Sequence, residues 1–397
     1  MATVSGDRKR TGVDILTAPQ VLLGRELVAP GWVAVDGSRV AAAGSGRPPH
    51  AARVVLPEGV LAPGLVDAQV NGGFGVDLGT ADDAGWQRLA ARLPATGVTA
   101  FVPTIITAPI RAQAAIVRRY RALRGGLDAA GGARSLGLHV EGPFLAPTRR
   151  GAHPAEHLCE PEPAAVQALI DAGGTDLAYV TLAPELPGAP AAIDALVAAG
   201  VRVAIGHSDA TDREVRAAAA RGATLVTHLF NAQPPLRARE PGVVGAALAD
   251  TRLTAGLIAD GHHVAPTAIA VAFAAAPGRI MLVTDATAAL GMPPGRHQLA
   301  GREIVVPAAG PPTLRDGTLA GAAAGLDTAV GVAVRAGVDP AVALLAATRV
   351  PADALGVADR GRLAAGGPAD LVWLDEHWRA RATWVGGRQV HPGQAAG

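Results

Sequence analysis

The chain has 397 residues, of which 49% are hydrophobic and 17% are charged, against a charged share of about 25% in average soluble domains. This amount of apolar surface excludes a chain that is disordered throughout. Lys and Arg outnumber Asp and Glu by only one (35 against 34), which argues against nucleic acid as a partner, and the single cysteine, Cys159, excludes an internal disulfide and favours a reducing compartment.

The N-terminus carries three basic residues, Arg8, Lys9 and Arg10, but the residues after them lack the apolar core of a signal peptide. Elsewhere no segment reaches the roughly 18 consecutive apolar residues that a membrane span needs. We therefore expect a cytoplasmic protein that has no membrane partner.

The first part of the chain contains short apolar runs that are typical of strands, at residues 13–16, 32–35, 40–43 and 54–56. The dipeptide Asp36-Gly37, between the second and the third run, predicts a hairpin turn. We expect this end of the chain to form part of a β-sheet.

The middle of the chain alternates strand-like apolar runs with Ala-, Leu- and Arg-rich segments of helical period. Eight strands are predicted, at residues 64–67, 99–102, 136–140, 178–181, 201–205, 223–226, 254–258 and 280–283. Helices are predicted between them, at residues 82–93, 110–124, 163–172, 191–199, 212–221 and 266–276. These βα repeats predict an α/β protein with a closed (β/α)8 barrel of the TIM type. An open, doubly wound sheet is the structural alternative, but no Gly-x-Gly-x-x-Gly turn follows the first strand, which weakens a dinucleotide-binding version of it.

The last part of the chain returns to short strands, at residues 370–374, 383–385 and 388–390, and it holds three of the five tryptophans. Because both ends share this pattern, we predict that residues 1–62 plus 357–397 form one small β-sandwich domain. The barrel is then predicted to span residues 63–356.

Polar residues follow the predicted barrel strands at their carboxyl ends, which meet on the rim where active sites of this fold lie. Glu141 follows the third strand, His207 the fifth and His228 the sixth. One carboxylate and two imidazoles suit Zn²⁺ or Fe²⁺ with one position left open for water. Asp285 follows the eighth strand, within reach of that water as a general base.

Each of these residues also has a purely structural interpretation. A single histidine after a strand is more often hydrogen-bonded within the fold than bound to a metal, and Asp285 could cap the next helix. His139, which alternates with Glu141, could simply support the barrel. Four candidate groups at the same relative point of four strands nevertheless favour the metal site.

Six runs occur in a fixed order along the chain: Leu61–Asp67, Gly137–Phe144, Gly206–Thr211, Thr227–Ala232, Ala259–Val264 and Val283–Thr287. In this order and spacing the sequence resembles the N-acetylglucosamine-6-phosphate deacetylases, a family of the amidohydrolase superfamily. The resemblance extends from about Val13 to Val390, and the runs Glu-Gly-Pro and Thr-His-Leu-Phe-Asn-Ala are its most specific parts.

The resemblance implies one divalent transition metal per subunit, Zn²⁺ or alternatively Fe²⁺, on Glu141, His207 and His228. It implies that Asp285 is the base and then the acid, and that His153 helps to polarise the acetyl carbonyl. The residues that match positions around the sugar phosphate are Ala152, Asn231, Ala232, Arg239, His263, Leu319, Ala320, Gly321 and Ala322. Arg239 is expected to reach the neighbouring site of a homodimer.

The sequence departs from the wider superfamily at two places. Many amidohydrolases have His-x-His after the first strand and a second metal, whereas this chain has Gln69-Val70-Asn71. Carboxamides are poor ligands for a transition metal, so one metal is expected. A carboxylated lysine is also disfavoured, because Lys9 is the only lysine of the chain. Many members have a serine where this chain has Ala322, so no hydroxyl contact is expected there.

The activity that the resemblance implies is the hydrolysis of N-acetyl-D-glucosamine 6-phosphate to D-glucosamine 6-phosphate and acetate, in amino-sugar catabolism. Two alternatives stay open. One is a metal hydrolase for another N-acyl amino sugar or a cyclic amide. The other is a barrel that serves only as a binding or scaffold module, and the intact set of Glu141, His207, His228 and Asp285 argues against it.

Overall fold

The N-terminal part of the chain forms seven strands that divide between two sheets. The computed structural model describes residues 13–129 and 131–391, so Lys9 and the outer ends of the predicted small domain lie outside the described residues. The seven strands are β1 (Asp14–Ala18), β2 (Gln20–Leu23), β3 (Glu26–Val28), β4 (Gly31–Asp36), β5 (Arg39–Ser45), β6 (Val54–Val55) and β7 (Val60–Pro63). The hairpin predicted at Asp36-Gly37 is present, since β4 and β5 pair antiparallel around it.

Alternating strands and helices follow over the next 220 or so residues. They are β8 (Leu65–Val70), β9 (Gly72–Gly73), β10 (Val76–Asp77), α1 (Asp83–Arg92), β11 (Val98–Ile105), α2 (Ile110–Ala129), β12 (Arg134–Ser135), β13 (Leu138–Glu141), α3 (Pro163–Gly173), β14 (Leu177–Leu182), α4 (Ala189–Ala198), β15 (Arg202–Ile205), α5 (Asp212–Ala220), β16 (Leu225–Val226), α6 (Gly242–Ala249), β17 (Thr254–Ile258), α7 (Pro266–Ala275) and β18 (Ile280–Val283). The strands β8, β11 and β13 to β18 pair in parallel in this order, which confirms the predicted (β/α)8 barrel.

The barrel closes between its first and last strands, β8 and β18, through bonds at their carboxyl ends. Val70 forms a parallel bridge with Ala286. Below it, the buried Asp67 carboxylate accepts hydrogen bonds from the Thr284 backbone N–H (3.1 Å) and from the Thr284 hydroxyl (2.6 Å). Burial raises the pKa of Asp67 to about 7, against the opposing effect of the Thr284 hydrogen bonds. A side chain on the first strand thus fixes the segment that carries Asp285.

Local sequence signals explain where several barrel helices begin. Asp82 accepts a hydrogen bond from the Gly85 N–H at the start of α1, and Thr211 and Glu214 form a reciprocal capping box at the start of α5. By contrast α6 was not predicted. Its sequence, Gly-Val-Val-Gly-Ala-Ala-Leu-Ala, is apolar on every face and largely buried, so it has no helical period for a sequence pattern to detect.

The chain after β18 forms a hairpin, three helices and three closing strands. These are β19 (Gly295–Leu299), β20 (Arg302–Val306), α8 (Leu326–Arg335), α9 (Pro340–Ala346), α10 (Arg349–Ala354), β21 (Leu371–Leu374), β22 (Ala380–Val385) and β23 (Arg388–His391). Among the described residues, no helix is both long and apolar enough to cross a membrane.

The closing strands join the N-terminal ones. β21 pairs antiparallel with β7, which gives a six-stranded sheet of order β23-β22-β21-β7-β2-β3, and a second sheet has the order β5-β4-β1-β6. Both sheets contribute to one apolar core that includes Leu16, Val33, Leu61, Leu371 and Trp384. This confirms a small β-sandwich made from both ends of the chain, while the domain boundaries at 62/63 and 356/357 stay a prediction.

Candidate active site

Four polar side chains meet at the carboxyl ends of the barrel strands. Glu141 is the last residue of β13, and His207, His228 and Asp285 each lie two residues beyond the end of β15, β16 and β18. The first three are almost fully buried, with 2%, 5% and 4% of their surface exposed, and Asp285 keeps one edge open to a cavity. The structure therefore brings together all four residues that the strand-end pattern singled out.

The backbone is strained where three of these side chains are presented. His207, His228 and Asp285 have φ angles of 50°, 27° and 51°, in the left-handed region that residues with a side chain rarely adopt. Asp285 is held there from both sides, because its N–H donates to the Gln69 carbonyl (3.0 Å) and its carbonyl accepts from the Ala322 N–H (2.9 Å). Such strain persists where the surroundings over-determine it, and it is common at functional sites.

Three of these residues direct ligand atoms at one point. Glu141 Oε1 lies 3.2 Å from His207 Nε2 and 3.0 Å from His228 Nε2, and the two Nε2 atoms are 3.1 Å apart. A metal bound at about 2.0–2.2 Å from nitrogen and oxygen ligands keeps those ligands at separations on the order of 3–3.5 Å. The donor set and its spacing fit a divalent transition metal, as the sequence predicted.

The imidazoles and the Glu141 carboxylate interact closely with one another and with the backbone. His207 Nδ1 donates to the Arg149 carbonyl (2.7 Å), so its Nε2 carries the free electron pair towards Glu141. Burial alone would raise the pKa of Glu141, but the imidazoles of His207 and His228 beside it outweigh burial and hold that pKa well below its usual value. Burial opposes the charged form of His228, yet its hydrogen bond to Glu141 raises its pKa. In the described part of the chain, His228 Nδ1 is buried without a partner.

The two carboxamides after the first strand lie beside the acidic groups. Gln69 Nε2 donates to Glu141 Oε2 (3.2 Å) and to Asp285 Oδ1 (3.0 Å), and Asn71 Nδ2 also donates to Asp285 Oδ1 (2.6 Å). Even so, burial and the nearby Glu141 charge raise the pKa of Asp285 to about 6. Both amides turn their N–H groups towards carboxylates, an orientation that serves hydrogen bonding.

His153 lies next to this cluster with a defined tautomer. The Thr107 backbone N–H donates to His153 Nδ1 (3.3 Å), and the Thr107 hydroxyl is 2.7 Å from the same nitrogen. Because Nδ1 accepts, the neutral ring carries its hydrogen on Nε2, which lies 3.9 Å from Glu141 Oε2. Burial and the neighbouring His207 lower the pKa of His153 well below its usual value, so the ring stays neutral.

A cavity of about 310 Å³ opens above these groups. Of the residues predicted to surround a sugar phosphate, six line it: Ala152, Asn231, Ala232, His263, Leu319 and Gly321. Ala320 and Ala322 are fully buried behind the wall, and Arg239 is exposed on the loop before α6, outside the lining. His263 is oriented by Asp260, whose Oδ2 lies 2.8 Å from His263 Nδ1.

Some residues of the site were missed in the sequence. Thr107 orients His153, but the second barrel strand was predicted to end at Val102, whereas β11 runs to Ile105 and brings Thr107 to the rim. The apolar run beyond Pro103 could have indicated this. Arg149 contributes its backbone carbonyl to His207, a role for which a sequence has no signal.

Comparisons with known proteins find related sequences and structures. The Amidohydrolase family matches residues 60–390. The chain is 41% identical to human N-acetylglucosamine-6-phosphate deacetylase, with 85% of each chain covered. It is also 41% identical to N-acetylgalactosamine-6-phosphate deacetylase of Escherichia coli O157:H7, over 83% of this chain and 87% of that protein. A mutant N-acetyl-D-glucosamine-6-phosphate deacetylase from Mycobacterium smegmatis, solved in complex with N-acetyl-D-glucosamine-6-phosphate, superposes with a TM-score of 0.90 at 38% identity, over 96% of this chain and 100% of that one.

Proposed function

The chain belongs to the amidohydrolase family, among its N-acetylglucosamine-6-phosphate deacetylases, and from this we propose that it hydrolyses N-acetyl-D-glucosamine 6-phosphate to D-glucosamine 6-phosphate and acetate. The observation that carries the proposal is the meeting of Glu141, His207 and His228 with the Asp285 carboxylate under one cavity. The enzyme is thus a hydrolase of a linear amide in amino-sugar metabolism.

Glu141 Oε1, His207 Nε2 and His228 Nε2 would hold one divalent metal, for which we propose Zn²⁺, with Fe²⁺ as the alternative. When bound, the metal polarises the acetyl carbonyl and acidifies the attacking water. The three donor atoms come from three separate strands of the barrel, so the ligand geometry is set by the fold.

Asp285 would move the proton. Its Oδ1 receives hydrogen bonds from Gln69 and Asn71, and in the part of the chain that the structure describes Oδ2 receives none. Oδ2 is therefore the oxygen that takes a proton from the attacking water and later returns it to the nitrogen of the leaving amine. A pKa raised to about 6 suits both transfers near neutral pH.

His153 would stabilise the oxygen of the acetyl group as negative charge develops on it. The ring is neutral, and its Nε2–H is directed towards the cluster because Thr107 occupies Nδ1. A donor that is fixed before the reaction needs no reorganisation when the charge forms.

The phosphate needs cationic partners that the cavity of one chain supplies poorly. Among the described residues that line the cavity, the only arginine is Arg149, and its guanidinium forms an ion pair with Asp209. Arg239 lies on an exposed loop beside Leu236, which is 54% exposed, and within the described residues it makes no ion pair. We therefore propose a homodimer in which this loop contacts the partner subunit and Arg239 binds the phosphate there, with His263, Asn231 and the backbone near Ala232.

The remaining wall would hold the sugar. Ala152, Leu319 and Gly321 line the cavity. Ala320 and Ala322 would support this wall through their backbone. The Ala322 N–H donates to the Asp285 carbonyl, and the Ala320 N–H donates to the Pro312 carbonyl. We place the reaction in the cytoplasm, which agrees with one exposed, unpaired cysteine, Cys159.

The test is acetate release from purified protein, after chelation and after reconstitution with Zn²⁺ or Fe²⁺. We expect N-acetylglucosamine 6-phosphate to be hydrolysed only by reconstituted protein, and unphosphorylated N-acetylglucosamine to be hydrolysed far more slowly. The same panel includes N-acetylgalactosamine 6-phosphate, because the Escherichia coli relative is named for that sugar. Preference for it would change the sugar but not the chemistry, whereas metal-independent release or none at all would refute the proposal.

A further inference from the structure

Among the described residues, Gln69 is the side chain that donates hydrogen bonds to both acidic groups of the site. Its Nε2 lies 3.2 Å from Glu141 Oε2 and 3.0 Å from Asp285 Oδ1, so both hydrogens of one amide are donated to two carboxylates. We propose that Gln69 is a positioning residue that keeps the metal-binding carboxylate and the proton-carrying carboxylate in one fixed relation. The proposal rests on the function proposed above.

On Glu141 the amide determines which oxygen faces the imidazoles. Oε1 contacts His207 and His228, and Oε2 contacts Gln69. A carboxylate that is free to rotate would present either oxygen, or both, to a cation. The hydrogen bond from Gln69 to Oε2 removes that freedom, so the Glu141 side chain would already be oriented when a metal binds.

On Asp285 the amide determines which oxygen remains free. Gln69 and Asn71 both donate to Oδ1, so the opposite oxygen is left for proton transfer. The two amides differ in reach, since Asn71 contacts the Asp285 carboxylate alone. Of the two amides, only Gln69 therefore links the position of the Glu141 side chain to that of the Asp285 side chain.

Gln69 is itself held rigidly. It is 2% exposed at the end of β8, its N–H donates to Asp67 Oδ1 (3.3 Å), and its carbonyl accepts from the Asp285 N–H (3.0 Å). The same residue thus holds Asp285 by its backbone and by its side chain. An orienting group must be more fixed than the group it orients, and these bonds meet that condition.

The test is Gln69→Met, which keeps the length and burial of the side chain and removes both hydrogens. The first readout needs no substrate: the zinc affinity, measured by competition with a chelator, should weaken by about 10- to 100-fold, as for other residues that orient metal ligands. The second is the kinetics with saturating zinc, in which kcat should fall by about 10-fold or more while KM changes less than about 3-fold.

Gln113→Met is the matched control, because Gln113 is also a fully buried amide whose Nε2 donates twice, to the Ile106 carbonyl (3.1 Å) and the Gly142 carbonyl (3.4 Å). It should lower the melting temperature and leave the zinc affinity and kcat near those of the parent. If Gln69→Met does not fold, Gln69→Leu is measured in the same way.

Zinc affinity and kcat within about 2-fold of the parent in a folded Gln69 variant would overturn the proposal, and so would an equal loss in Gln113→Met. If the parent releases acetate from no sugar, the proposed function fails, but the zinc measurement still decides whether Gln69 orients Glu141.

Discussion

The core between the two terminal sheets is filled by aliphatic and aromatic side chains such as Leu16, Leu61 and Trp384, whereas the rim of the barrel encloses carboxylates, imidazoles and amides. In the sandwich, polar groups lie mainly at the surface. At the rim, Glu141 and His228 are 2% and 4% exposed, close to the 3% of Leu16 in the sandwich core. Burial therefore has opposite effects on the stability of the two regions. Burying apolar groups in the sandwich stabilises the fold, whereas burying charged groups at the rim costs free energy.

The backbone shows the same contrast. Four site residues at the rim, His207, His228, Ala232 and Asp285, have positive φ, and the atoms proposed to bind the metal lie within 3.2 Å of one another. This region is organised for a ligand at the expense of stability. Substitutions at the rim should thus abolish chemistry with little loss of fold, and substitutions in the sandwich core should do the reverse.

The largest effect on activity is expected from His228→Ala, because it removes one of the three proposed metal ligands. Bound metal and acetate release should be lost together, while the melting temperature of the metal-free protein should not fall. Metal content by elemental analysis and calorimetry of the apoprotein measure both. His297→Ala, on β19 outside the cavity lining, is the control and should change neither. Full metal occupancy with normal turnover in His228→Ala would remove the residue from the metal site.

Asp285→Asn is expected to come next. The amide keeps the shape of the side chain but cannot accept or return a proton, so kcat should fall by about 10²- to 10⁴-fold. Metal content and substrate binding should be largely retained, which separates this variant from His228→Ala. A kcat within a few-fold of the parent would mean that Asp285 only closes the barrel and that the proton moves through another group.

Arg239→Ala should have a smaller and substrate-dependent effect. A hydrogen bond to a charged group is worth roughly 1.5–3 kcal/mol, so kcat/KM for the 6-phosphate should fall by about 10- to 150-fold. Unphosphorylated N-acetylglucosamine, which has no phosphate to lose, should show little change. Sedimentation must show that the variant keeps the oligomeric state of the parent, and equal losses on both sugars would indicate a role in folding or assembly instead.

Leu61→Ala tests the other side of the comparison. Leu61 is fully buried in β7, and truncation of such a side chain costs about 2–5 kcal/mol of folding free energy. Denaturation should show that loss, while kcat per metal-loaded molecule stays within about 2-fold. A large fall in kcat at full metal occupancy would show that the sandwich influences the rim and that the two regions are not independent.

How far the sequence alone leads also differs between elements. All eight barrel strands were predicted, and β17 and β18 with their observed bounds, because short apolar runs alternated with helical patterns. The hairpins β2–β3 and β19–β20 were missed. β19 (Gly-Arg-His-Gln-Leu) has charged and polar residues in place of a clear alternation, and β2 and β3 are only four and three residues long.

In the site, too, only residues with a local signal in the sequence could be predicted. Residues at strand ends, such as Glu141 and His207, could be predicted because the barrel brings those ends together. Thr107 and the Arg149 carbonyl could not, since their roles depend on how loops fold back over the rim. Gln69 and Asn71 were noticed only as poor metal ligands, because the hydrogen bonds that they make span more than 70 positions to Glu141 and more than 200 to Asp285.

The smallest effect on activity is expected from Asp67→Asn, which tests whether barrel closure depends on pH. Asp67 is protonated more readily in the folded chain, where its pKa is raised to about 7, than in the unfolded chain, near 3.8. Its contribution to stability is therefore fully present below pH 3.8 and is lost as the pH rises through 7, by about 1.4 kcal/mol per unit in that window. Asparagine cannot ionise, yet its Oδ1 can still accept from the Thr284 N–H, and its Nδ2 can donate to the Thr284 hydroxyl. The variant should thus gain stability over the parent by roughly 3 kcal/mol between pH 5 and pH 8. Urea denaturation at both pH values measures the difference, and a gap that does not grow with pH would mean that Asp67 stays ionised in the barrel and closes it as a carboxylate.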